Sequence, residues 1–144
     1  MKIWNQSSKD NDSAIDYFLS SEDIVLDQEL FLYDIQASIA HAHELQAINI
    51  LTKTETKKII SSLRKLAKLF QTKKFKLTSK YEDCHSAIEQ YLTKELGSVG
   101  KKIHTGRSRN DQVMVAMRLY AREKLDDIQS INQKIAQSFL DKAE

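Results

Sequence analysis

Residues 97–113 read GSVGKKIHTGRSRNDQV and hold all three glycines of a 144-residue chain that contains no proline. Glycine permits positive φ and a close approach of the backbone to a ligand. This basic segment also carries two lysines, a histidine and two arginines, and it leads directly into a long stretch with apolar residues at helical spacing. Free N–H groups, the helix dipole and guanidinium groups all attract negative charge at such a junction. The sequence therefore predicts a flexible, anion-binding loop ahead of a long helix.

The order of residues inside the basic segment supports this prediction. In an extended chain Arg107 and Arg109 face the same side, an arrangement suited to clamping a pair of carboxylates. Ser108 is a favourable helix N-cap, and Asp111 then falls in the first helical turn, where a carboxylate is stabilised. A solvated basic turn is the alternative, but it does not account for the clustered glycines. A nucleotide phosphate loop is not expected, because no Ser or Thr follows Lys101 and no strand precedes the segment.

Composition limits the classes of function. The 22 basic and 20 acidic residues give a net charge of +2, too balanced for a dedicated nucleic-acid-binding protein. No apolar run approaches the roughly 20 residues that span a bilayer, and the polar N-terminus lacks a signal-peptide core. The single cysteine, Cys84, cannot form an internal disulfide, which favours a reducing compartment. We expect a cytoplasmic protein with neither nucleic acid nor membrane as a partner.

Apolar spacing predicts helices throughout, and no segment alternates with a period of two, so the expected class is all-α. The first long helix is predicted from Asp27 to about Asn49. Its predicted buried side comprises Leu30, Tyr33, Ala37, Ala40, Leu45 and Ile48.

Two capping boxes predict the starts of the next helices. Thr52 with Glu55 opens a helix whose apolar face comprises Ile59, Leu63, Leu66 and Phe70. Ser79 with Glu82 opens another that ends at Gly97, a common helix terminator.

The last helix is predicted to start near Ser108 or Arg109 and to run to the end of the chain. Its apolar stripe comprises Val113, Met117, Tyr120, Ile128, Ile131, Ile135 and Phe139. A striped helix of about 45 Å is hard to cover with the rest of this chain, so we expect partner helices from elsewhere. Because the predicted helix shows no end signal before residue 144, we expect the chain to be truncated.

No metal site is predicted. His41 and His43 are two residues apart and point to different sides of a helix. His85 and Glu89 share a helix face, but two ligands do not make a site, and Cys84 is predicted to point elsewhere.

Four motifs resemble those of the argininosuccinate lyase family, in the fumarase/aspartase superfamily. Residues 104–113, HTGRSRNDQV, resemble its first signature block, which is long and specific. Residues 82–85, EDCH, resemble its Glu-Asp-Ile-His segment. Residues 34–41, DIQASIAH, and 50–52, ILT, resemble a helix and a turn upstream. The resemblance covers essentially the whole chain but only about the first third of such an enzyme.

The resemblance implies a fold, a reaction and an assembly. Residues 1–107 would form an N-terminal helical domain, and residues 108–144 would begin the central helical bundle of an all-α homotetramer. The enzyme would convert argininosuccinate to arginine and fumarate by anti elimination, in arginine biosynthesis and the urea cycle, without a cofactor. The catalytic serine and its partner histidine would lie beyond residue 144, so the chain alone would be inactive.

The resemblance also implies site residues. Asn110 and Arg109 would bind substrate carboxylates, and His85 would line the pocket. The predicted substrate-binding set is completed by Asp23, which occupies the position of a family serine, and by Thr105, Arg107, Ser108 and Gln112.

Three other functions are open to the sequence. One is a sister enzyme that releases fumarate, such as adenylosuccinate lyase. Another is a non-catalytic helical homologue that binds a metabolite. The third is a small nucleic-acid-binding protein using the basic segment, which the charge balance disfavours.

Overall fold

The computed structural model describes residues 23–78 and 80–143, which contain five α-helices and no strand. The helices are α1 (Asp23–Ala47), α2 (Lys53–Gln71), α3 (Cys84–Leu96), α4 (Ser98–Lys101) and α5 (Arg109–Ala143). A 3-10 turn, Lys102–His104, follows α4. The predicted all-α class is confirmed for this part of the chain. None of its helices combines the length and the apolarity that crossing a membrane requires.

Helix α1 lies at the centre of the packing, in contact with α2, α3, α5 and the 3-10 turn. It starts at Asp23 rather than at Asp27, and its predicted buried side is only partly right. Ala37 and Leu45 are buried, whereas Ala40 and Ile48 are exposed. Because several neighbours surround α1, its buried surface is broad and includes polar groups. The buried side chains are Ile24, Phe31, Asp34, Ile35, Ala37, Ser38, Ala42 and Leu45.

Helix α2 agrees with its sequence pattern. The Thr52–Glu55 capping box is present, with each residue satisfying a backbone N–H of the other. Ile59, Leu63 and Leu66 are buried as predicted. Phe70 is only partly buried, and its ring stacks on the Phe31 ring of α1 at 4.4 Å between centroids.

Helix α3 begins later than the second predicted capping box would place it. Asp83 is the N-cap, and its carboxylate accepts the backbone N–H of Ser86 at 2.7 Å. The helix therefore starts at Cys84, and Ser79 lies outside the described residues. The predicted terminator is confirmed, since α3 ends at Leu96 and Gly97 follows with φ +62°.

The first part of the basic segment is helical rather than a flexible loop. It folds back as α4 against the last turn of α3, where Gly100 is buried. A Cβ added to Gly100 would lie 2.8 Å from the backbone nitrogen of Thr93, and closer still to the carbonyl group of Leu92. Glycine is required here because two backbones touch.

Helix α5 is 35 residues long, about 52 Å at 1.5 Å per residue. It starts at Arg109, as predicted, and packs on α1, where the Tyr33 and Tyr120 rings meet edge to face. Every described residue from 121 onward is exposed. The exposed apolar side chains of this second half are Leu125, Ile128, Ile131, Ile135, Phe139 and Leu140.

Candidate functional site

The basic segment is fixed to two other helices before it enters α5. His41 on α1 donates its Nε2–H to the carbonyl oxygen of Thr105 at 3.0 Å. The ammonium group of Lys102 contacts the carboxylate of Glu55, the capping residue of α2, at 2.6 Å. Both contacts hold residues that come just before the turn at Gly106, which has φ +72°.

Arg109, the first residue of α5, is bound to the start of α3. Its guanidinium donates to Oδ1 of Asp83 at 2.8 Å and to Oγ of Ser86 at 3.2 Å. The Asp83 carboxylate thus caps α3 and pairs with α5 at once. These contacts bring the N-termini of α3 and α5 together, and both carry the positive end of a helix dipole.

The start of α5 is closed by a reciprocal cap. Ser108 donates its backbone N–H to the Asp111 carboxylate at 2.7 Å, and its Oγ accepts the backbone N–H of Asp111 at 3.3 Å. The hydrogen bond from the Ser108 backbone lowers the pKa of Asp111. Ser108 therefore acts as the predicted cap. Asn110, in the first turn of α5, is exposed to solvent.

Arg107 is directed away from Arg109. Its guanidinium donates to the carbonyl oxygen of Ile103 at 3.1 Å and lies 3.5 Å from Oγ of Ser38 on α1. Burial lowers the pKa of Arg107, and its Nε has no hydrogen-bond partner among the described residues. Since the two guanidinium groups contact different elements, they do not form the shared clamp that their spacing predicted.

Glu89 on α3 accepts hydrogen bonds from two further side chains of the basic segment. Its Oε1 accepts from Nδ1 of His104 at 2.9 Å and from Nε2 of Gln112 at 3.2 Å. Gln112 is 2% exposed, and its Oε1 has no partner within the described part of the chain. A buried acceptor left unpaired costs free energy that a donor from a ligand would recover.

His85 lies one residue before Ser86, and its side chain is hydrogen-bonded to α1. Its Nδ1–H donates to Oδ2 of Asp34 at 2.7 Å, and both side chains are almost fully buried. Asp34 also accepts from Oγ of Ser38 at 3.4 Å. Ser38 therefore stands between Arg107 and the Asp34–His85 pair.

Cys84 does not point away from His85, so that prediction is wrong. Its Sγ lies within 4.8 Å of ligand atoms of both His85 and Asp34. The carboxylate of Asp27 accepts the backbone N–H of Cys84 at 2.8 Å. Burial raises the pKa of the Cys84 thiol and also that of the Asp27 carboxyl group.

Comparison with known proteins decides the family. A family model described as "Lyase" matches residues 7–144. The chain belongs to this lyase family. It is 47% identical over 142 residues to an argininosuccinate lyase of Xanthomonas euvesicatoria pv. vesicatoria, covering 99% of this chain and 33% of that protein. It is 45% identical over 141 residues to one of Xylella fastidiosa strain Temecula1, covering 98% and 32%. The chain spans about a third of the length of the curated relatives it matches.

Within this lyase-family chain, the predicted site residues divide into three groups. Thr105, Arg107, Ser108, Arg109, Asn110 and Gln112 lie along the basic segment. His85 lies on the first turn of α3, beside the contact that Arg109 makes. The side chain of Asp23, the first residue of α1, is outside the described residues.

The sequence alone did not assign a role to the residues that hold the candidate site together. They are Asp34, Ser38, Asp83 and Glu89, all of which pair with side chains or backbone of other elements. Asp34 and Ser38 are four residues apart and hydrogen-bonded, so helical spacing was an available signal for this pair.

Proposed function

We propose that the chain is the N-terminal third of an argininosuccinate lyase. Such an enzyme cleaves argininosuccinate into arginine and fumarate, the last step of arginine biosynthesis and a step of the urea cycle. The observation that carries the proposal is the 45–47% identity to argininosuccinate lyases over almost every residue of this chain. That extent of matching includes both the basic segment and the start of α3.

The reaction is an anti elimination that needs stabilised negative charge. A base removes a proton from Cβ, the electrons form an aci-carboxylate, and the C–N bond breaks as the leaving guanidinium nitrogen takes a proton. Preorganised donors and cations lower the free energy of such a dianionic intermediate because they need no reorganisation during the step. The serine base and its histidine partner would come from residues beyond 144.

In this proposal Asn110 and Arg109 bind the substrate carboxylates. Asn110 is exposed in the first turn of α5, where the amide side chain and the helix dipole favour an anion. Arg109 is tied to Asp83, which fixes the guanidinium while leaving nitrogen donors for a ligand.

The remaining substrate-binding residues are assigned supporting roles. His85 lines the pocket from α3, and Thr105, Ser108 and Gln112 shape the segment around the ligand. The unpaired Nε of Arg107 and the unpaired Oε1 of Gln112 each favour a polar ligand. Asp23 takes the position of a family serine at the start of α1.

We also propose the assembly implied by the family. Residues 1–107 form an N-terminal domain, and 108–144 begin the central bundle of a cytoplasmic homotetramer. The apolar, solvent-exposed second half of α5 supports this, because a helix with such a stripe is stable when other helices cover it.

A substrate comparison tests the proposed function. The protein expressed from its complete coding frame is assayed with argininosuccinate and with adenylosuccinate, and fumarate release is followed by absorbance. We expect turnover of argininosuccinate alone. Turnover of adenylosuccinate alone would replace the proposal with the sister enzyme, and a folded protein inactive on both would indicate a non-catalytic homologue.

A further inference from the structure

Three side chains with metal-binding atoms meet where α1 packs on the first turn of α3. A carboxylate oxygen of Asp34, Sγ of Cys84 and a ring nitrogen of His85 lie within 4.8 Å of one another. All three side chains are buried. We propose that Asp34, Cys84 and His85 bind a thiophilic divalent cation of the Zn²⁺ class.

The spacing of the three atoms is close to that of a coordination sphere. In a tetrahedral zinc site, bonds of about 2.0–2.3 Å place neighbouring ligand atoms about 3.3–3.8 Å apart. The three ligand atoms lie within 4.8 Å of one another, which is about one ångström more than the spacing in a zinc site. Nδ1 of His85 and Oδ2 of Asp34 are 2.7 Å apart, which is about half an ångström less than that spacing. Shifts of up to about one ångström in the ligand atoms would bring them to that spacing.

The charge of the set suits a divalent ion. One carboxylate, one thiolate and one neutral imidazole carry two negative charges, so the occupied site would be neutral. Neutrality matters because an uncompensated charge in the interior is costly. As the sulfur–metal bond forms, the Cys84 thiol releases its proton to solvent, and His85 coordinates as neutral imidazole.

The ligand types select among metals. Thiolate and imidazole favour Zn²⁺, Co²⁺ and Cd²⁺, whereas Mg²⁺ and Ca²⁺ prefer oxygen atoms throughout. The Asp27 carboxylate accepts the backbone N–H of Cys84 and is not one of the three ligands.

Cobalt spectroscopy tests the site without reference to enzyme activity. The protein from its complete coding frame is titrated with Co²⁺ while the near-ultraviolet thiolate-to-cobalt charge-transfer band is recorded. We expect one equivalent to bind and Zn²⁺ to displace it. Cys84→Ser and Cys84→Ala should lose the band, and Asp34→Asn should bind Co²⁺ at least tenfold more weakly. His43→Gln, a change at an exposed histidine of α1, should retain the wild-type titration.

Three outcomes would overturn the site: no saturable band, an equal band in Cys84→Ser, or a titration of Asp34→Asn that matches the wild type. A melting experiment covers the case in which a Cys84 variant does not fold. Zn²⁺ at one fixed concentration should raise the Tm of the wild type and of His43→Gln by the same amount, and that of Asp34→Asn by less. Equal shifts in all three proteins would also contradict the proposal.

Inhibition is a further consequence that rests on the proposed lyase function. Because His85 belongs to the proposed substrate-binding set, bound Zn²⁺ should block turnover, and a chelator should restore it. Cys84→Ala should resist this inhibition. The cobalt titration measures metal binding without turnover. If the lyase assignment fails, the cobalt band still forms; if the metal site fails, the band is absent whether or not the protein turns over argininosuccinate.

Discussion

The guanidinium of Arg109 lies 2.8 Å from Oδ1 of Asp83, which joins the first residue of α5 to the N-cap of α3. Through this pair, two sequence motifs separated by 26 positions form one surface. The pair places the first turn of α3 beside the first turn of α5. The pair therefore links the fold to the proposed chemistry.

Substitutions at Asp83 separate its capping role from its ion pair. Asp83→Ala removes both, and we expect the free energy of unfolding to fall by about 1 kcal/mol or more from loss of the cap alone. Asp83→Asn keeps a good capping side chain but loses the charge that pairs with Arg109. It should retain most of the stability, as measured by urea denaturation. Equal losses in both variants would show that the ion pair, rather than the cap, stabilises α3.

Two glycines of the basic segment should differ in their tolerance of alanine. Gly100→Ala forces a Cβ into the backbone of Leu92 and Thr93, so we expect a loss of about 3 kcal/mol. Gly106→Ala meets open space and incurs only the strain of positive φ, about 1–2 kcal/mol. Thermal and urea denaturation of both variants measure the difference. A Gly100→Ala protein as stable as Gly106→Ala would contradict the close packing of α4 on α3.

Acid should weaken the contact between Glu55 and Lys102. The hydrogen bond from Lys102, followed by those from Thr52, lowers the pKa of Glu55 from 4.5 to about 2. Because the folded-state pKa is depressed, the stabilisation is complete above pH 4.5 and is lost as the pH falls towards about 2. Urea denaturation across this range should show the advantage of wild type over Glu55→Gln shrinking. A constant difference would mean that Glu55 titrates alike in the folded and unfolded chains.

Much of the fold was predictable from the sequence because its signals are local. The Thr52 capping box, the Gly97 terminator and the start of α5 depend on residues a few positions apart. The buried side of α1 was not predictable from apolar spacing, because Asp34 and Ser38 are buried by pairing with His85 and Arg107 from other elements.

The sequence predicts which segment carries the candidate site, but it does not predict the hydrogen bonds and ion pairs within that site. The composition of the basic segment predicts an anion site there, and this stays a prediction. The separation of Arg107 from Arg109, however, depends on Ser38 and Asp83, which lie 69 and 26 positions away. Likewise, Asp34 approaches Cys84 and His85 because α1 packs on α3, which sequence spacing alone does not predict.

The most direct test of the central claim is the kcat/KM for argininosuccinate of the complete protein and its Asn110→Ala variant. Fumarate and arginine should form in equal amounts in the wild type. The variant should lose at least about a factor of ten, equivalent to about 1.4 kcal/mol, with unchanged helix content by circular dichroism. Wild-type kinetics in Asn110→Ala, or no fumarate from the folded wild-type protein, would contradict the account.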